Sequence, residues 1–78
     1  QNVDYAVRYD KERQVVGFVS YDLQEFANVD VQIYTVGGRL LYTFKATQEQ
    51  SLANVPSGTY IIKWSWAGKM HSVKFRKE

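Results

Sequence analysis

No cysteine occurs in this chain, so disulfides and thiolate metal sites are excluded outright, although the compartment stays open. A single histidine, His71, is present. A catalytic metal ordinarily takes three protein ligands, and one imidazole among scattered carboxylates offers no such spacing. A Ser-His-Asp set is formally available, since Ser20, Ser51, Ser57, Ser65 and Ser72 accompany four aspartates. None of those serines stands on a strand-to-helix elbow or beside an oxyanion donor. His71 shares a strand face with Val73 and Phe75, which reads as a half-buried structural histidine. The expectation is therefore a protein without catalytic residues, metal or cofactor.

Other features are missing too. No apolar run approaches the roughly 20 residues of a membrane-spanning helix, so no transmembrane segment is expected. Gln1-Asn2-Val3-Asp4 has neither a basic n-region nor an apolar h-region, which suits a cytosolic chain or a mature product whose leader has been removed. No Asn-x-Ser/Thr acceptor occurs at Asn2, Asn28 or Asn54. Helical periodicity is absent throughout.

What remains is one small domain of 78 residues, 45% hydrophobic and 15% aromatic. A core of this size supplies only about 3–5 kcal/mol net, so most large apolar side chains are needed inside it. The net charge of +2 is unevenly distributed. Residues 1–30 carry six acids against three bases, and residues 31–78 carry seven bases against two acids. Such asymmetry steers association, or is absorbed in cross-strand pairs within the fold.

Period-2 alternation runs from end to end. Val3 to Tyr9 reads as a first strand, Asp10 to Arg13 as its turn, and Val15 to Tyr21 as a second strand. Leu23 and Phe26 mark a helical turn or a loop between sheets. Val29, Val31 and Ile33 share one face of a third strand. Gly37-Gly38 reads as a two-residue type I′ hairpin, and Leu40 to Lys45 returns. Ser51-Leu52 suggests a short fifth strand. Val55-Pro56-Ser57-Gly58 fits a type I turn. Thr59 to Trp66, a tight Ala67-Gly68 hairpin and Met70 to Lys77 complete the chain.

About seven short strands with regular turn signals predict an all-β fold, an antiparallel immunoglobulin-like β-sandwich spanning residues 1–78. Tyr60 stands where a tyrosine corner would bond back to the preceding connection. The alternative is an α+β fold with its helix over residues 22–28.

Four groups of residues merit weighing. Gly37-Gly38 lacks the Lys-Ser/Thr ending and following helix of a phosphate loop, so it reads as a turn. Trp64 and Trp66 share a face with Tyr60 and Ile62. An exposed row of this kind would be a possible aromatic platform for sugars or bases, but core packing is the better reading. Tyr34 and Tyr42 flank the Gly-Gly hairpin and suggest a cross-strand aromatic pair. Lys69, Lys74, Arg76 and Lys77 make the C-terminal stretch basic, which gives either a solvated face or a surface for an acidic partner. The excess is too small for a nucleic-acid binder.

Val31, Ile33, Tyr34, Gly38, Arg39, Leu40 and Leu41 form one element of a longer pattern. Leu52, Val55, Pro56, Gly58, Tyr60, Ile61, Ile62 and Lys63 form the next. Gly68-Lys69 and then Lys74, Phe75 and Lys77 close it. In this order and spacing, residues 29–77 resemble the C-terminal sorting domains of the Bacteroidota type IX secretion system. Thr35 stands where that family has Asp, and its N-terminal Tyr-Pro-Asn-Pro element has no counterpart. Small stand-alone secreted or periplasmic proteins of gut Bacteroidota look similar and also lack that element.

The resemblance implies export to the periplasm, outer-membrane surface or medium. It also implies a protein partner in the secretion machinery, contacted through Lys74, Arg76 and Lys77. Gly37, Gly38, Pro56, Gly58 and Tyr60 would be structural. Self-association through edge strands, or a stand-alone module binding carbohydrate or protein, are the other partner readings.

Overall fold

The computed structural model describes residues 5–20 and 23–78. It is all-β, as the alternation requires. Seven strands follow in order: β1 (Tyr5–Asp10), β2 (Val15–Ser20), β3 (Asp30–Thr35), β4 (Leu40–Lys45), β5 (Gln50–Ser51), β6 (Gly58–Trp66) and β7 (Lys69–Lys77). They form two antiparallel sheets, β1-β2-β5 and β4-β3-β6-β7. The expected start of the first strand at Val3 and end of the second at Tyr21 lie outside the described residues. In the described part of that segment Leu23–Phe26 forms one 3-10 turn, followed by a turn at residues 27–28, so the α+β alternative falls. Bonds from Ala27 N to Gln24 O (3.1 Å) and Val29 N to Phe26 O (3.0 Å) close that segment and seat Phe26 fully inside.

The inner faces of both sheets share one core. Val16 and Phe18 come from β2, Val31 and Ile33 from β3, Phe44 from β4, and Tyr60, Ile62 and Trp64 from β6. Phe26, Ala46 and Leu52 add to it from the connections. Along the strands nearly all of these residues alternate with polar or more exposed neighbours, which is what a two-faced strand demands. Rings bridge the sheets: Phe18 meets Trp64 edge-on at 5.0 Å, and Tyr9 of β1 meets Phe75 of β7 at 5.5 Å. Burying a side chain such as Ile33 or Ile62 is worth about 1.5–3 kcal/mol, so these few contacts carry a large part of the stability.

The hairpins divide differently from expectation. Between β3 and β4 the loop holds three residues, Val36-Gly37-Gly38, because Thr35 N bonds to Arg39 O (2.9 Å) and Gly38 N to Thr35 O (3.0 Å). Only Gly38 has positive φ, +101°. A turn followed by one left-handed glycine is the three-residue hairpin with a bulge, not the type I′ form. The register then slips between Ile33 and Tyr34, which face Tyr42 and Leu40 respectively. Tyr34 and Tyr42 therefore occupy opposite faces and do not form the expected pair.

The type I′ geometry appears instead at Ala67-Gly68, with φ of +54° and +77°. Its first position carries a methyl group in a region that disfavours side chains by about 1 kcal/mol. Asparagine, whose short polar side chain is well tolerated there, relieves that cost. Ala67→Asn is expected to raise unfolding stability by about 0.5–1 kcal/mol, and Gly38→Ala to lower it by about 1 kcal/mol. Urea denaturation with unchanged slope checks both.

Candidate functional site

The corner before β6 is built from its own carbonyls. The backbone turn closes three residues earlier than expected, from Val55 N to Leu52 O at 3.1 Å. Among the described turn bonds none spans Val55 to Gly58. Side chains do that work. The Tyr60 hydroxyl donates to Pro56 O at 2.5 Å, which is the tyrosine corner that the sequence suggests. The Lys77 ammonium donates to Val55 O. Gly58 pairs with Lys77 across the β6–β7 ladder, and a Cβ on Gly58 would come within 3.9 Å of the Tyr60 ring.

This placement corrects the expectation for Lys77. It alternates onto the inner face of β7 with Phe75 and His71, is only 4% exposed, and spends its charge on the corner. A surface partner does not meet it there. Lys74 and Arg76 have the opposite phase. Both are exposed on the outer face, and neither has an ion pair among the described residues.

The outer face of the four-stranded sheet extends this basic surface inward. Lys74 faces Ile61, which faces Tyr34 on β3. Lys63 holds its ammonium 5.0 Å from the centre of the Tyr34 ring, and the Tyr34 hydroxyl donates to Gln32 Oε1 at 3.1 Å. At the far side Lys45 is neutralised by Asp30 at 2.9 Å. Tyr34, Gln32 and Lys63 were legible in principle, because they alternate with the buried Val31, Ile33, Ile62 and Trp64.

The tryptophans do not make a platform. Trp64 is 3% exposed in the core, and Trp66 packs its ring 4.9 Å from Phe26. With Trp64 buried and Trp66 half-buried against Phe26, the two rings do not form the exposed row that the platform reading needs. His71 lies half-buried and stacks on Trp64, with ring centres 5.3 Å apart at 17°. Ser65 and Ser72, which alternate with these two residues in the β6–β7 hairpin, fall on the outer face. Neither is placed to exchange a proton with the imidazole. Among the described residues, no three His, Cys, Asp or Glu side chains gather as a metal set. Among the described residues no helix is long and apolar enough to cross a membrane.

A second polar feature lies on the outer face of β1 and β2. A depression of about 200 Å³ is lined by Gly17 together with Arg8, Asp10, Arg13 and Glu49. Arg13 grips Glu49 through two bonds, of 3.2 and 2.5 Å, and lies 3.6 Å from Asp10. Hydrogen bonding and charge from Glu49 raise the Arg13 pKa, so that guanidinium stays charged throughout. Both side chains are exposed, so solvent screens the pair and it adds little to stability. The pair tethers the first hairpin to the loop after β4. Nearby, burial and then the Asp10 carboxylate push the Tyr9 phenol above its usual range, so it is neutral at physiological pH.

Compared with known proteins, the chain matches no family model, no curated relative and no solved structure.

The two faces of β7 make opposite demands on substitution. Lys77→Ala removes a buried side chain and its charge-assisted bond to the part-buried Val55 carbonyl, and is expected to cost about 1–3 kcal/mol. Lys74→Ala removes an exposed side chain and is expected to stay within about 0.5 kcal/mol of the parent. Paired urea titrations check the contrast, and equal losses would contradict the assigned phase of β7.

Proposed function

We propose that the chain is a non-enzymatic, exported module of immunoglobulin-like β-sandwich type, whose C-terminal strand is the element docked by type IX secretion machinery. The observation that carries this reading is the division of β7. Phe75 and Lys77 hold one side to the core and corner, while Lys74 and Arg76 stand on the other without ion pairs among the described residues. A surface serving only solubility would mix both signs of charge. Strand order supports the sandwich type: lettered A, B, C, C′, E, F and G in chain order, the strands give sheets ABE and C′CFG. The tyrosine corner then falls at the start of F, its usual position in such sandwiches.

A stand-alone periplasmic binding protein is the second reading. It has one observation in its favour, the Tyr34–Gln32–Lys63 group on the same outer face.

Truncating the last residues is a poor test of the sorting role, because Lys77 belongs to the fold. A reporter with a signal peptide, fused ahead of this chain and expressed in a type IX-competent bacterium, separates the two effects. The parent fusion is expected at the cell surface or in the medium. Lys74→Glu with Arg76→Glu should reduce that export about tenfold, which corresponds to 1.4 kcal/mol of lost recognition, and leave folded reporter in the periplasm. Retention of the parent fusion, or equal export of both, would contradict the sorting role.

A further inference from the structure

The free edge of β7 has a definite polarity that follows from its hairpin. A two-residue type I′ loop makes its flanking residues, Trp66 and Lys69, a hydrogen-bonded pair. Antiparallel pairs then alternate along the ladder. His71, Val73, Phe75 and Lys77 exchange backbone bonds with Trp64, Ile62, Tyr60 and Gly58. Met70, Ser72, Lys74 and Arg76 turn their N–H and C=O groups the other way, to the outer edge. β7 is the last strand of its sheet, and nothing among the described residues pairs with that edge. Four residues thus present backbone groups that are unpaired among the described residues, and the same four carry the outer-face side chains.

An unpaired row of this kind is a template for strand addition. The chemistry of β7 selects the occupant. From Lys69 to Lys77 the strand contains no acid, so pairing it with β7 of a second copy would gain no opposite-charge pair in any register. An added strand whose residues face Lys74 and Arg76 shares their side of the sheet, and carboxylates fit there. Its intervening residues fall on the inner side, beside Val73, which is 39% exposed at this edge. Apolar side chains fit there. The opposite edge of the sheet, β4, is blunted by the register slip at Leu41.

We infer that the outer edge of β7 accepts a fifth strand, an extended segment of a partner protein in which acidic residues alternate with apolar ones. This deepens the docking role proposed for β7 and rests on it.

The test is a titration of the whole isotopically labelled chain, followed by NMR. The probe is a capped peptide of alternating glutamate and valine, about six residues long to match an ordinary strand. Binding should slow amide exchange at Met70, Ser72, Lys74 and Arg76 about tenfold or more. A peptide N-methylated on its glutamate amides should not bind, because it lacks the donors. Lys74→Glu with Arg76→Glu, both on exposed positions, should weaken binding about tenfold while the far-ultraviolet spectrum is kept. Equal binding of the methylated peptide would reduce the interaction to charge alone and overturn the inference. Protection at β4 instead, dimerisation through β7, or no binding at millimolar peptide would also overturn it. A chain that is exported yet fails this titration loses only the strand-addition mode. A chain that binds the peptide but is never exported loses the secretion role instead.

Discussion

The rest of the molecule depends on the corner at residues 55–58, where two carbonyls are claimed by side chains from the two longest strands. Tyr60 takes Pro56 O and Lys77 takes Val55 O. A hydrogen bond of this kind is worth about 0.5–1.5 kcal/mol, and about 1.5–3 kcal/mol with a charged donor, a large share of the stability of so small a domain. The two bonds therefore do more than close a loop. They set where β6 begins, and through the Gly58–Lys77 pair they hold the last residues of β7 to it. With the inner side of β7 pinned at Lys77 and Phe75, strict alternation leaves Lys74 and Arg76 no position but the outer face.

Much of this was legible in the sequence, because the inward set is spelled out by period-2 alternation in nearly every strand. The seven strands, the tyrosine corner and the burial of Trp64 all follow from that signal plus the need of a small chain for its aromatics. What was hidden depends on one-residue shifts. Gly37-Gly38 looks like a two-residue loop, yet only Gly38 needs the left-handed conformation, and the added loop residue moves Tyr34 to the face opposite Tyr42. Lys77 looks like part of a basic tail, yet its phase matches Phe75, and its long stem reaches a carbonyl 22 residues away in sequence. No local pattern announces a bond of that separation.

The same phase argument orders the candidate surface. The basic residues of the C-terminal half do not form one patch. Lys45 is neutralised by Asp30, Lys63 sits over Tyr34, and Lys77 is buried. Arg39 and Lys69 are exposed beside the two hairpins, and Lys74 and Arg76 stand next to an edge whose backbone groups are unpaired among the described residues. A polypeptide partner fits this combination better than a sugar, because a strand can use the backbone edge while the large indole rings that stack on sugars are occupied in the core and against Phe26.

The most direct measurement is amide hydrogen exchange along β7 in the free protein, residue by residue. A β7 held to β6 throughout, with its outer edge open, should show strict alternation. His71, Val73, Phe75 and Lys77 should be protected nearly to the global unfolding free energy, and Met70, Ser72, Lys74 and Arg76 should exchange about as freely as exposed amides. Uniformly fast exchange from Lys74 onward would mean that the corner does not anchor the strand. Uniformly slow exchange would mean that the outer edge is already covered. Either result would contradict the assignment of β7 as an anchored strand with an open, basic edge.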